Sequence, residues 1–201
     1  MAAYFDSAGL YSFGRQPEAV FWNLQQLAGC LLMICDKEPL VAALGEFSPA
    51  YRRELTAAML ERLALIPRGE EADTALVNAA FRALAEGGEP LRWEPFFFDW
   101  FGGAASGDRA MAGPRAGLYG GEEFGAFRAL LDAYEPDRPE RLAQAYFAAS
   151  EPQELLYDEI EAIWAAIADH DDWSLFNAKL ASISRAAQAL QLARPKVLLA
   201  A

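Results

Sequence analysis

The chain has 201 residues, a formal net charge of −12 and 54% apolar residues. That length can bury one core or at most two small ones. The negative field argues against nucleic acid and anionic membranes as partners, because binding to either rests on basic patches. Counting glycine and leaving out tyrosine, the apolar share is about 58%, above the roughly 45–50% of typical globular chains. Alanine in helices accounts for part of the excess, and the rest hints at surface meant for a partner. No stretch nears the roughly 20 apolar residues that span a bilayer. The start MAAYFDSAG has no basic region and an early Asp6, so it does not read as a signal peptide and a cytoplasmic location is expected.

In chain order, Gly9–Ile34 is the organising stretch. Tyr11 and Phe13 alternate in a short loop that turns at Gly14-Arg15-Gln16. Pro17 suits the first helical position and Glu18 the positive helix start. Val20, Phe21, Leu24, Leu27, Ala28, Leu31 and Ile34 then recur at helical spacing, with Trp22 and Leu32 widening the face. Such a helix is expected to be buried on most sides, leaving Asn23 in need of a partner. Cys30 and Cys35, five apart, read as small buried apolar residues rather than a redox pair.

After a connector over 36–47, Ser48-Pro49 opens a helix to about Leu65, with Tyr51, Leu55, Met59, Leu60 and Leu63 inward. Pro67-Arg68-Gly69 breaks it. A helix near Glu71–Glu86 follows, burying Leu76, Val77, Phe81 and Leu84 and ending at Gly87-Gly88. Pro90–Phe101 is the densest aromatic cluster. It reads as a plug gripping the helices more readily than as a stacking platform, since only Arg92 supplies a cation.

Segment 102–121 is glycine-rich but lacks a GK[ST] end and a preceding strand, so it fits neither phosphate fingerprint. It is expected to be an internal flexible linker with Arg109 and Arg115 exposed. Helices are expected near Glu122–Tyr134 and Pro139–Phe147. An acidic helix from Glu151 to about Asp169 would hold Leu155, Leu156, Ile160, Ile163, Trp164 and Ile167 inward and Glu154, Asp158, Glu159 and Glu161 in solvent. A last helix, about Trp173 to Leu192, is capped by Asp171 or Asp172 and stopped by Pro195. No stretch alternates with a strand period, so the fold class is all-α, with 1–201 as a single helical region.

The only histidine, His170, lies in Asp169-His170-Asp171-Asp172. Four adjacent residues between helices cannot converge on one ion, so a turn with capping aspartates is the simpler reading. No nucleophile triad is available. The residues by themselves offer no catalytic, cofactor-binding or metal-ligating set.

Tyr11-Ser12-Phe13, Gln16-Pro17 and Trp22-Asn23-Leu24 resemble a segment of the selenoprotein O (SelO, YdiU) family, roughly GRYxFxNQPxxxxWNLxxLA. The chain departs from that pattern at Leu10 and Arg15. Asp99-Trp100-Phe101 resembles a second family segment. Members are kinase-like protein adenylyltransferases that move AMP from ATP to protein hydroxyls. The resemblance implies that Tyr11, Phe13, Arg15, Gln16, Pro17, Trp22 and Asn23 serve as structural or substrate-loop residues. It also implies the C-terminal helical part of a protein-kinase-like fold.

In the family, the lysine, glutamate and metal-binding pair that handle ATP and Mg²⁺ precede this segment. The chain is therefore expected to be inactive alone and to bind no cofactor. A family-type redox bridge is unsupported, because the matching ends here read MAAYFD and PKVLLAA. The expected partners are the missing N-terminal lobe or a protein substrate, with self-association through the strip from Met1 to Phe13 and part of Phe96–Phe101. The alternative is a free-standing, non-catalytic helical protein-binding module.

Overall fold

The computed structural model describes Gly9 and residues 12–191. Tyr11, the side chain of Phe13 and nearly all of the expected Met1–Phe13 contact strip lie outside the described residues, as do Pro195 and the C-terminal end. A 3₁₀ turn, Phe13–Arg15, leads into α1 (Gln16–Leu31), α2 (Lys37–Gly45) and α3 (Phe47–Arg62). Then follow α4 (Glu70–Gly87), α5 (Trp93–Asp99), α6 (Gly107–Ala112), α7 (Glu122–Leu131), α8 (Tyr157–His170) and α9 (Ser174–Leu190). Among the described residues the only strand-like contact is one isolated bridge between Leu65 and Pro136. No described helix is long and apolar enough to cross a membrane.

The single region expected for 1–201 divides into two compact units, Met1–Ala57 and Ala58–Ala201. In the first, the apolar face of α1 is narrower than its composition suggests. Phe21, Leu24, Ala28 and Leu31 form a half-buried stripe, and Phe21 stacks on Phe47 at 5.3 Å. Val20, Trp22 and Leu27 are exposed, with Trp22 at 58%. The expected burial of this helix on most sides is therefore corrected. Periodicity marks a face as apolar, but cover needs a neighbour on each side. Asn23 faces solvent and needs no partner, and Cys30 and Cys35 are free and exposed rather than buried. Tyr51, expected inward, is also exposed.

In the second unit, α4 packs along α7 over an aromatic core. Phe96 meets Phe97, Phe124 and Phe127 at 5.3–6.3 Å, and Trp100 meets Tyr119, Phe124 and Phe127 at 5.4–6.1 Å. A second cluster joins Phe98, Phe101 and Phe147 to Ala64 and Ala189. The aromatic segment is thus a plug, and burial of Phe96, Phe97, Phe98, Trp100 and Phe101 removes it as a self-association surface.

The chain leaves that plug through Gly102 and Gly103, at φ +87° and +65°. A Cβ on either would sit 2.7 Å from Leu142 or Leu65, so both the backbone angle and the space require glycine here. Gly102 N–H donates to the Leu63 carbonyl at 2.8 Å, tying the turn to the end of α3. The segment expected to be a flexible linker is a run of short helical turns, Gly103–Ser106, α6 and Ala116–Tyr119.

Toward the C-terminus the expected Glu151–Asp169 helix begins only at Tyr157, and none of its residues is buried. Leu155, Leu156, Ile160 and Trp164, expected inward, are 45–65% exposed. Conversely Glu154, expected in solvent, is largely covered and pairs with Arg92 at 2.8 Å. Lys179, nine-tenths buried on α9, donates to the Glu154 carbonyl and pairs with Glu159 of α8. Asp172 accepts the Ser174 N–H at 2.8 Å, which starts α9 as expected. That bond holds its carboxyl below the usual range.

Candidate functional site

Two stretches carry the family-like residues, and the structure treats them oppositely. The first is the head of α1. Arg15 closes the 3₁₀ turn and its guanidinium reaches Glu18 at 3.1 Å, an exposed pair that screening leaves weak. Gln16 opens α1 and Pro17 follows within its first turn, where a missing N–H costs nothing. Arg15, Gln16, Trp22 and Asn23 are all exposed, and Pro17 is half-buried. They lie along the first two turns of one helix and face solvent or its half-buried edge.

The second stretch, at the end of α5, is a buried polar node. Arg115 donates Nε to Asp99 Oδ2 at 2.7 Å and Nη2 to Asp99 Oδ1 at 2.8 Å, a two-pronged pair with both side chains more than nine-tenths covered. The Tyr119 hydroxyl donates to the same Asp99 Oδ2. Arg115 also reaches Glu151 through Nη1 at 2.7 Å and the Ser150 carbonyl at 3.1 Å. Arg109 donates to the Phe98 and Asp99 carbonyls at 2.8 and 3.2 Å and lies over the Phe98 and Phe147 rings. The expectation that Arg109 and Arg115 are exposed is corrected. A carboxylate buried at Asp99 is costly unless paired, and these cations are the ones within reach.

The electrostatics follow from that geometry. Hydrogen bonding to Asp99 raises the Arg115 pKa despite burial, so its charge is fixed. Burial first, and then the bond to Asp99, push the Tyr119 hydroxyl well above its usual range. Burial lowers the pKa of Arg109. Asp99 accepts from donors on both oxygens, so it serves as a clamp rather than as a free base or metal ligand. Sequence reasoning missed Arg115, Tyr119 and Glu151. The one available signal was a pair of arginines, Arg109 and Arg115, in a glycine- and alanine-rich segment that follows an aspartate embedded in aromatics.

A similar node forms at Asp73, near the start of α4. Its carboxylate accepts the N–H groups of Arg68 and Gly69 at 2.9 and 3.1 Å and the Tyr134 hydroxyl at 2.9 Å. Among the described residues no group of three or more His, Cys, Asp or Glu side chains could hold a metal ion.

The chain is similar to known proteins over most of its length. The family model described as protein adenylyltransferase SelO matches residues 1–184. A protein nucleotidyltransferase YdiU from Gloeobacter violaceus is 32% identical over 180 residues, 87% of this chain and 37% of the relative. The YdiU protein of Trichodesmium erythraeum is 26% identical over 188 residues, 87% of this chain and 38% of the relative. That of Vibrio vulnificus is 35% identical over 81 residues, 40% of this chain and 16% of the relative. The chain thus spans less than two fifths of the length of these relatives. No solved structure matches it. A match to the family model over residues 1–184 means that the chain belongs to the SelO family of protein adenylyltransferases.

Proposed function

We propose that this chain is the C-terminal helical part of a SelO-like protein adenylyltransferase with a kinase-like fold. The complete protein would transfer AMP from ATP to serine, threonine or tyrosine hydroxyls of other proteins in the cytoplasm. The observation that carries the reading is the alignment of most of this chain to little more than a third of its Gloeobacter relative. ATP and Mg²⁺ would be held by residues that precede Gly9 in the family pattern, and no step of the transfer is assigned to the described residues. α1 would lie against the catalytic loop, with Asn23 bonding to that loop's backbone and Trp22 covered. The segment from Gly9 to Gln16 would border the place where the protein substrate docks.

The exposed head of α1 supports this reading, because a helix start with an apolar flank is a surface that gains from being covered. The test is calorimetry of the isolated chain with ATP and Mg²⁺, paired with a labelled-AMP transfer assay. Neither binding nor transfer is expected, and micromolar affinity for ATP would overturn the reading.

The rival, a free-standing helical binding module, is favoured by the exposed apolar stripe on α8. Coding sequence in frame upstream of Met1 that carries a lysine, a glutamate and an Asn/Asp metal pair would decide for the transferase.

A further inference from the structure

Residues 149–156 run from the 3₁₀ turn Ala145–Ala148 to α8 without regular structure, and residues 150–155 make no backbone–backbone hydrogen bond among the described residues. Side chains from other parts of the fold hold this strap instead. Arg115, itself fixed to Asp99, donates to the Ser150 carbonyl at 3.1 Å and to Glu151 at 2.7 Å. The Tyr146 hydroxyl accepts the Gln153 N–H at 3.0 Å. Arg92 pairs with Glu154 at 2.8 Å, and Lys179 of α9 donates to the Glu154 carbonyl. Packing around the strap is loose. One hollow of about 450 Å³ is lined by Glu154, Leu155, Ile183 and Ala186, and another of about 290 Å³ by Glu151, Gln153, Ser182 and Arg185.

α8 continues the strap and is attached in the same way. None of its residues is buried, and its Glu159 pairs with the same Lys179 ammonium that holds the Glu154 carbonyl. α9 is attached differently. Its Ala186 and Ala189 are buried, Ala189 in the cluster with Phe98, Phe101 and Phe147, and Arg141 donates to the Leu190 carbonyl. One helix of this pair is rooted in the core and the other is tied by polar contacts. We propose that the strap and α8, residues 150–170, open as one sub-global unit while α9 and the aromatic core stay folded, with Lys179 as the latch common to both. Opening returns Arg92, Glu154, Glu159 and Lys179 to water, where hydration replaces each lost pair. Releasing α9 would instead uncover alanines seated among aromatic rings. Segments with few buried apolar contacts are the ones that open at low free energy.

The test is native-state amide exchange of the full 201-residue chain, read residue by residue by NMR. The Gln153 amide reports the strap, residues 163–167 report α8, and α4 and α7 report the core. Gln153 and residues 163–167 are expected to share one opening, at least 100-fold more populated than that of α4 and α7. Lys179→Met should speed exchange at both reporters by the same factor, at least 10-fold. Glu159→Gln, a change at a half-exposed position that spares the core, should act on both in the same direction, at least 3-fold. Val77→Ala, within α4, weakens a core that stays folded in the open form. It should therefore speed exchange in α4 and α7 about 10-fold and leave Gln153 and residues 163–167 within 2-fold of their original rates. Strap and α8 amides that exchange only as fast as α4 would overturn the proposal, as would their acceleration alongside α4 in Val77→Ala. So would an α8 that opens while Gln153 stays as protected as the core, or a Lys179→Met variant that moves the two reporters by different factors or not at all.

Discussion

Arg115 grips both carboxylate oxygens of Asp99, at 2.7 and 2.8 Å, and so pins the end of the aromatic helix α5 to the turn before Tyr119. Removing one partner of a buried pair leaves the other charge uncompensated, at a cost of about 3–5 kcal/mol. Asp99→Ala is expected to destabilise by that amount in urea unfolding. Arg115→Met added to it should recover part of the loss, because the stranded guanidinium is gone. Equal losses in the single and double variants would mean that the pair is not the clamp.

Trp22 and Trp100 form a contrasting pair. Trp100 is 1% exposed within the aromatic core and Trp22 is 58% exposed on α1. Trp100→Ala should cost about 3–5 kcal/mol through the cavity it leaves. Trp22→Ala should cost less than about 1 kcal/mol, as surface changes do. Chemical denaturation of the two variants side by side checks both, and a large loss at Trp22 would mean that α1 is covered.

Alkali should unfold this protein through its tyrosines. Burial and the bond to Asp73 push the Tyr134 hydroxyl from 10.0 up to about 12, and Tyr119 and Tyr146 move the same way. A hydroxyl whose folded pKa is raised contributes stability that is complete below its unfolded pKa and is lost as pH rises through the folded value. The loss should therefore run from about pH 10 to about pH 12 for Tyr134. Tyr134→Phe should flatten that part of the stability–pH curve while lowering stability at neutral pH.

Both cysteines should react in the folded state. Cys30 and Cys35 are free and exposed, so a thiol reagent at neutral pH is expected to titrate two equivalents without denaturant. A requirement for unfolding before reaction would restore the buried reading of these residues.

A hydrophobic dye should bind the native chain. α1 and α8 carry exposed tryptophans, at 58% and 63%, and adjacent exposed apolar side chains of this kind take up ANS. Trp22→Ser and Trp164→Ser should each reduce the fluorescence. A native chain that binds no dye would mean that these faces are closed.

The sequence by itself determined the helical class, because apolar spacing and the Pro and Gly breaks act within a few residues. It located the start of α4 to within one residue of Glu70 and the turn before α9 at Asp172. It also identified Phe96–Phe101 as core, since five aromatics in six residues have too much surface to leave in water. The family followed from Tyr11 to Leu24 by resemblance of residues, independently of any fold. Tertiary structure alone decided which apolar faces are covered. α1 and α8 show the periodicity of core helices, yet neither contains a buried residue. It also decided that Arg115, 16 residues beyond Asp99, would return to it, and that Glu154 would meet Arg92. A pairing across that separation depends on the path of the intervening chain. Here the left-handed turn at Gly102-Gly103 sets that path, through constraints that no local pattern of side chains records.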